Sequence, residues 1–147
     1  MVRVQEAPFD PGAELLQITR GRTDIGAVAS FVGLVRDVAG DQAISAVTLE
    51  HYPGMTESKL AEIEAEANRR WPLQASLIVH RYGRMLPGEP IVLVATAAQH
   101  RAAALEACAF LIDWLKTKAP FWKLEESPGG DRWVEARSSD DEAAARW

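Results

Sequence analysis

The sequence predicts an α+β domain with a mostly antiparallel sheet and two main helices. Segments of strand character come in consecutive pairs that short loops can connect, and a long amphipathic segment follows each of the first two pairs. The resulting order, β, β, α, β, β, α, β, β, disfavours a doubly wound fold, in which single strands alternate with helices. With 147 residues, 48% of them hydrophobic, the chain can bury one sizeable core. Residues 1–147 are therefore expected to form a single domain.

The first half of the chain predicts two strands and a helix. Residues 26–35 (GAVASFVGLV) are rich in β-branched and aromatic residues, and Gly33 interrupts the strand they predict. Residues 44–52 alternate in character, which is typical of a half-buried strand with one apolar side. Residues 56–71 have the spacing of an amphipathic helix that Pro72 ends. Its apolar positions are Leu60, Ile63, Ala67 and Trp71.

The second half predicts a hairpin and the longest helix. Residues 75–83 and 90–98 have strand character and are joined by a Pro-Gly turn, so we expect them to pair. Residues 101–117 form the second main helix, which Pro120 ends. Its apolar stripe consists of Ala104, Ala107, Cys108, Leu111, Ile112 and Leu115. Two short strands, 121–126 and 132–137, and a final helical turn or two at 140–147 complete the chain.

Charge and composition exclude several classes of function. A net charge of −5 and a pI near 5.2 argue against a nucleic-acid binder that relies on a broad basic field. A single cysteine excludes an intrachain disulfide and a CxxC motif, and it fits the reducing cytoplasm. The sequence contains no apolar run of about 18 residues and no secretory signal pattern. We therefore expect neither a membrane segment nor a targeting peptide.

Basic residues stand at the ends of four predicted elements. They are Arg36, His100 with Arg101, Lys116 with Lys118, and Lys123 with Glu125 two residues on. Each has an ordinary structural interpretation: a surface ion pair, a helix cap, a partner of the helix dipole, or one face of a half-exposed strand. The functional alternatives are an arginine clamp on a phosphate or carboxylate at Arg36, and an anion site where His100 and Arg101 open a helix.

The spacing of His100 and Lys116 limits how these residues can combine. They are 16 positions apart, which is about 24 Å along a continuous helix. Within one chain they cannot grip the same small ligand atom. Either they belong to separate sites, or a symmetric dimer brings His100 and Arg101 of one copy next to Lys116 and Lys123 of the other.

The cysteine and the strand histidines predict no chemistry of their own. Cys108 lies in the middle of an apolar helix stripe, which indicates a buried, inert thiol rather than a nucleophile. His51 and His80 fall in predicted strands without a second ligand at metal spacing. No metal site or cofactor is expected.

Several stretches together resemble the large, catalytic subunit of molybdopterin synthase, and they occur in that family's order. They are GAVASFVGLVRD, LEHYPGMTESKLAEIEAEANRRWP, HRYGRMLPGE, AAQHRAAALEAC, IDWLKTKAPFWKLE and GDRWVEAR. The stretches span about residues 26–137. The combination of LKTKAPFWK with an upstream His-Arg pair and GLVR is the most specific part of the resemblance.

The resemblance implies an α/β hammerhead-type fold and a homodimer that binds one small ubiquitin-like sulfur-carrier subunit at each end, which makes an elongated heterotetramer. The C-terminal Gly-Gly tail of the carrier, activated as a thiocarboxylate, would enter a pocket of this chain. There, cyclic pyranopterin monophosphate (precursor Z) would accept two sulfurs and become molybdopterin. The implied activity is that of a sulfurtransferase in molybdenum cofactor biosynthesis.

The resemblance also assigns individual pocket positions. These are Lys116, Lys123, Arg36, His100, Arg101, Phe31, Glu125 and Arg137. Lys116 is expected to stabilise negative charge beside the thiocarboxylate carbon, and Lys123, oriented by Glu125, to shuttle a proton to the pterin. Arg36 and the His100–Arg101 pair are expected to hold the phosphate. The sequence departs from the family pattern at Leu105, where an aromatic is commoner, and at Leu124, where a basic residue is frequent.

Two functions of other classes fit the same cluster of cations. One is a non-catalytic module that binds a phosphorylated small molecule or an acidic tail, which would tolerate exchange of lysine for arginine. The other is an inactive structural paralogue that keeps the fold and the dimer face but has lost turnover.

Overall fold

The structure is a computed structural model that describes residues 1–135 and 137–147. In chain order the elements are β1 (Val2–Gln5), α1 (Pro11–Thr19), β2 (Ala27–Leu34), β3 (Val38–Ala39), β4 (Gln42–Ala43), β5 (Ala46–His51), α2 (Met55–Arg70), β6 (Leu73–Arg81), β7 (Gly83–Met85), β8 (Pro90–Ala98), α3 (Arg101–Lys118), β9 (Phe121–Glu126), β10 (Arg132–Val134) and α4 (Ser138–Ala145). The α+β class and the two main helices, α2 and α3, are as predicted. None of the described helices has the length and apolar character that a membrane crossing requires.

Four strands form the main sheet in the order β1, β6, β8, β2. β8 is antiparallel to both β6 and β2, whereas β1 runs parallel to β6 at one edge. The pairing of β2 with β8 shifts register between Gly33 and Leu34, at the interruption that Gly33 predicts. A Cβ on Gly33 would lie 2.8 Å from a methyl carbon of Val92, so a larger residue would force that side chain aside.

A second antiparallel sheet has the order β10, β9, β5, β7. β9 lies in its interior and follows directly on the end of α3. The short strands β3 and β4 form a separate hairpin, in which Gly40 adopts a positive φ of 65°. The chain therefore leaves the longest helix and enters the second sheet within a few residues.

Helices cover both faces of the main sheet. α2 and α3 pack on one face, where Leu60, Ile63, Phe110 and Leu111 are almost completely buried. On the other face, Leu15 and Ile18 of α1 and other partly buried side chains pack against buried residues of β6 and β8. Burial of these apolar surfaces is the main stabilising term of the fold, at about 25 cal/mol per Å².

The predicted pairing of 75–83 with 90–98 is confirmed as β6 with β8, but the connection is more than a turn. Residues Gly83–Met85 form β7, which pairs with β5 in the other sheet. β1 and α1 are not anticipated by the sequence patterns. The predicted strand 132–137 is observed as β10 over Arg132–Val134, and Ala136 lies outside the described residues.

Candidate functional site

Lys116 and Lys123 flank the turn that joins the main helix to the second sheet. Lys116 lies in the last turn of α3, and Lys123 lies in β9, where it pairs with Leu49 of β5. Pro120 has no backbone N–H to continue the helix, so the chain turns back at once as a strand. The turn brings the two ammonium groups close enough for the charge of Lys123 to disfavour a charge on Lys116.

The pKa of Lys116 is lowered from its ordinary value of 10.5. The largest cause is the protein that surrounds the ammonium group and displaces water, and repulsion by Lys123 comes second. Asp140 acts in the opposite direction, and Arg137 adds further repulsion. Much of the side chain is nevertheless exposed in the isolated chain. Lys116 is therefore a solvent-accessible lysine that loses its proton more easily than an ordinary one.

An open groove of about 770 Å³ lies where the loop after β2 meets the turn before β8. Arg36 and Arg137 both line it, next to Pro87 and Gly88. A recess of about 40 Å³ is lined by Arg36 again, together with Lys123 and Glu125. The structure thus brings together four of the predicted site residues: Arg36, Lys123, Glu125 and Arg137. Lys116 joins them through its proximity to Lys123.

Glu125 is a buried carboxylate within this cluster, with 4% of its surface exposed. One of its oxygens lies 3.6 Å from Nη2 of Arg132, on the neighbouring strand β10. The guanidinium group of Arg132 is mostly exposed, and its contact holds the buried carboxylate in place. Arg132 was not among the predicted site residues, because its pairing with Glu125 depends on how β10 returns alongside β9.

His100 and Arg101 lie at the other end of α3. His100 is the N-cap residue of the helix, and its side chain makes no capping hydrogen bond. Because α3 is continuous from Arg101 to Lys118, the spacing of about 24 Å between His100 and Lys116 holds along it. Phe31 lies in the middle of β2, opposite Val94, with 38% of its surface exposed, and it is not among the residues that line the groove or the recess. One chain alone does not unite His100 and Arg101 with Lys116.

His80 is a feature of the site that sequence reasoning missed. Its ring is buried and stacks on Phe121, with centroids 3.8 Å apart; Phe121 is the first residue of β9, two positions before Lys123. Nδ1 lies 2.9 Å from the carbonyl oxygen of Arg81, which accepts its proton as a hydrogen bond. Burial is the largest cause that lowers the pKa of His80 to about 3; the hydrogen bond to Arg81 opposes it, and the positive charge of Lys116 adds to it. The imidazole is therefore neutral near Lys116 at any physiological pH.

The arrangement is suited to binding an anion. Arg36 and Arg137 line the open groove, Lys123 lines the adjoining recess with Arg36, and Lys116 lies near Lys123, in a chain of net charge −5. Guanidinium groups match the geometry of phosphate and carboxylate oxygens, and a lysine of lowered pKa can donate a proton readily. The cysteine does not take part: Cys108 is 7% exposed, and burial raises its pKa to about 11.

Comparison with known proteins gives matches over most of the chain. A family model described as MoaE protein matches residues 4–118. The molybdopterin synthase catalytic subunit of Pseudomonas aeruginosa is 55% identical over 146 residues, which are 99% of this chain and 97% of that protein. The corresponding subunit of Escherichia coli K12 is 51% identical over 140 residues, which are 95% of this chain and 93% of that protein.

Solved structures agree with these sequence matches. The molybdopterin biosynthesis MoaE protein from Burkholderia ambifaria superposes with a TM-score of 0.85 at 53% identity, covering 100% of this chain and 97% of that one. A crystal structure of molybdopterin synthase from Staphylococcus aureus gives a TM-score of 0.83 at 31% identity, covering 90% of this chain and 96% of that one. With the family model matched over most of its length and relatives above half identity, the chain belongs to the MoaE family.

Proposed function

We propose that the chain is the catalytic subunit of a molybdopterin synthase, a sulfurtransferase of molybdenum cofactor biosynthesis. Its substrate is cyclic pyranopterin monophosphate (precursor Z), which becomes molybdopterin by accepting two sulfurs from the C-terminal thiocarboxylate of a small carrier subunit. The observation that carries this proposal is the pairing of Lys116 and Lys123 across the α3–β9 turn, beside a groove lined by Arg36 and Arg137. Family membership supports the same reaction.

Lys116 stabilises the negative charge that develops during sulfur transfer. The thiocarboxylate sulfur attacks a carbon of precursor Z and forms a C–S bond there as a C–O bond of the same carbon breaks, which leaves the carrier's terminal carbon as the acyl group of a thioester. Water then attacks that acyl carbon, negative charge builds on its oxygen, and a neighbouring ammonium group lowers the energy of that state. Collapse of this tetrahedral state breaks the acyl C–S bond and releases a carboxylate, so each carrier tail delivers one sulfur. The lowered pKa of Lys116 also lets it donate a proton more readily than an ordinary lysine.

Lys123 shuttles a proton to the pterin, and Glu125 helps to orient it. Both residues line the same small recess, and the two are on one face of β9 because they are two positions apart. The ion pair with Arg132 of β10 holds the carboxylate of Glu125 in place. Arg36 and Arg137 line the groove at a position suited to the substrate phosphate.

His100 and Arg101 contribute to the site of a second copy of the chain. They lie about 24 Å from Lys116 along α3, so a contribution to the same substrate requires a symmetric dimer. Mixing an Arg101→Ala chain with a Lys116→Ala chain tests this arrangement. Each mixed dimer has one pocket with both residues intact, so recovered activity is expected, and no recovery counts against a shared pocket.

The partner that this function requires is a small ubiquitin-like carrier that ends in Gly-Gly, bound at each end of a homodimer in a heterotetramer. The reaction takes place in the cytoplasm, a reducing compartment with which a single unpaired cysteine is consistent. Residues 1–147 act as one domain.

Reconstitution tests the proposed function directly. The purified chain is mixed with a thiocarboxylated carrier and precursor Z, and molybdopterin is measured, for example as a fluorescent oxidised derivative. We expect product in proportion to the thiocarboxylate supplied, at two carriers per pterin. A chain that binds the carrier and precursor Z but forms no product would instead be a binding module or an inactive paralogue. If such a chain still binds the carrier and precursor Z after Lys116 is exchanged for arginine, the binding module is favoured.

A further inference from the structure

The C-terminal helix α4 (Ser138–Ala145) packs against α3 and lies outside the residues that the family model matches. One side of this segment is partly buried and the other is exposed. The partly buried positions are Asp140, Ala143, Ala144 and Trp147, and the exposed ones are Asp141, Glu142, Ala145 and Arg146. The inner set follows the i, i+3, i+4, i+7 spacing of a helix face. Asp140 is therefore an acid on the face of α4 that packs against the protein.

Asp113 of α3 holds the C-terminal end of this segment. Its Oδ2 accepts hydrogen bonds from Nη2 of Arg146 at 2.9 Å and from Nε1 of Trp147 at 2.7 Å. Nη1 of Arg70 donates to the main-chain oxygen of Trp147 at 2.6 Å, and the indole ring packs edge-on against Phe110. We call the group of Asp113, Arg146 and Trp147 the Asp113 clamp. The clamp fixes the end of the C-terminal segment by hydrogen bonds to the side chains of Arg146 and Trp147, and the packing of the indole ring on Phe110 adds to it.

The N-terminal end of α4 lies beside Lys116 and Lys123. Lys116 follows Asp113 by three residues, so the two side chains are neighbours on the surface of α3. Arg137, the N-cap residue of α4, lines the groove with Arg36. A helix clamped at its C-terminal end by Asp113 thus begins at the groove and passes Lys116.

We propose that α4 is an electrostatic part of the sulfur-transfer site: the Asp113 clamp holds the helix so that the carboxylate of Asp140 faces Lys116. The inference rests on the proposed function for what Lys116 does in turnover. The placement of Asp140 by the clamp does not depend on it. Asp113 and Asp140 are positioning residues, since they act on the reaction through Lys116.

The charges around Lys116 explain why such a carboxylate matters. Lys123 on β9 and Arg137 at the start of α4 both repel its proton, and His80 on β6 is neutral. Asp140 opposes these neighbours and raises the pKa of Lys116. Among the described residues, Asp140 and Lys116 form no direct ion pair. The carboxylate of Asp140 therefore acts on Lys116 by electrostatic attraction over a longer distance.

Amine labelling of the full chain measures this effect without turnover. Lys116 is acylated with a small N-hydroxysuccinimide ester between pH 7 and 10, and its modification rate is read by mass spectrometry with Lys118 as the internal reference. Asp140→Asn removes the carboxylate, lowers the pKa of Lys116 and exposes more neutral amine. We expect labelling at Lys116 to become about twofold to fivefold faster. Asp141→Asn and Glu142→Gln remove the same charge from exposed positions and are expected to leave the rate unchanged.

A double-mutant cycle tests the clamp. In an Asp113→Ala chain, the rate increase caused by Asp140→Asn is expected to shrink to less than half of its wild-type value. Arg146→Gln serves as the milder background if Asp113→Ala does not fold by circular dichroism. An equal effect in both backgrounds overturns the role of the clamp, and no effect of Asp140→Asn in the wild-type background overturns the proposal as a whole. If Lys116→Ala retains turnover while Asp140→Asn still accelerates labelling, the catalytic role proposed for Lys116 fails and the placement of Asp140 stands.

Discussion

The hydroxyl of Thr56 donates a hydrogen bond to the main-chain carbonyl oxygen of Pro120, at 3.1 Å. The hydroxyl oxygen of Thr56 in turn accepts a hydrogen bond from the backbone N–H of Tyr52, at 3.0 Å. Thr56 is fully buried in the first turn of α2. A single side chain from another element therefore fixes the turn that lies between Lys116 and Lys123.

Replacing Thr56 by valine keeps the shape of the side chain and removes both hydrogen bonds. The carbonyl oxygen of Pro120 and the N–H of Tyr52 lose their partner, which we expect to cost about 1–3 kcal/mol of unfolding free energy. If the turn sets the geometry of the lysines, molybdopterin formation falls by about tenfold or more. Urea unfolding and the reconstituted assay measure the two effects.

Thr56→Ser is the matched control, because it keeps the hydroxyl and loses one methyl group. It is expected to keep most of the turnover. A Thr56→Val chain that is destabilised but turns over at the wild-type rate would show that the hydrogen bond supports the fold alone.

Burial of His80 predicts acid lability. Its pKa is lowered to about 3 in the folded chain and is about 6.5 when unfolded, so between these values the unfolded state binds a proton that the folded state does not. Stability is therefore fully present above pH 6.5 and is lost as the pH falls, by at most about 1.4 kcal/mol per pH unit from this group.

Thermal melts of wild type and His80→Phe between pH 7 and 4 measure this contribution. Phenylalanine preserves stacking on Phe121 and cannot titrate, so its melting temperature should fall less steeply with acid. His100→Gln replaces an exposed histidine and serves as the control. Parallel curves for wild type and His80→Phe would contradict the assignment.

Cys108 is predicted to be unreactive and dispensable for turnover. Its pKa is raised to about 11 by burial, so the native chain should resist iodoacetamide at pH 8 and react within minutes after unfolding in urea. Cys108→Ala leaves a small cavity, which costs about 1 kcal/mol. We expect full sulfur transfer from this variant, because the sulfur comes from the carrier. Loss of transfer in a folded Cys108→Ala chain would contradict that source.

A single cooperative transition is expected when the chain unfolds. The second sheet is joined to α3 by the short α3–β9 turn and is held by Thr56 from α2, so its unfolding should accompany that of the main core. Far-ultraviolet circular dichroism and tryptophan fluorescence should give coincident urea curves. Two separated transitions would show that residues 1–147 are not one cooperative domain.

The long elements were predictable because their apolar positions have a clear period. α2 and α3 each bury one face, and the strands at 90–98 and 75–83 are apolar runs that pair as expected. β1 and β7 were missed because they are short and owe their strand conformation to partners far away in sequence. α1 carried a local signal: Asp10 caps the helix and Pro11 follows at its first position.

The site was predictable in part. The spacing of His100 and Lys116 alone predicts that they cannot meet within one chain, and the continuous α3 agrees. Only the family resemblance predicted that Arg36, Glu125 and Arg137 belong to one site. Arg132, His80 and Asp140 could not be found from spacing, because their contacts form only when β10, β6 and α4 pack around the turn.

The central claim is that Lys116 carries the chemistry of sulfur transfer. The most direct test is single-turnover conversion of precursor Z by a Lys116→Ala chain with thiocarboxylated carrier, compared with Lys118→Ala, which removes an exposed lysine two residues away. We predict a loss of at least about 100-fold for Lys116→Ala, as is typical when a group that stabilises transition-state charge is removed, and little change for Lys118→Ala. A folded Lys116→Ala chain that forms molybdopterin at a near wild-type rate would contradict the claim.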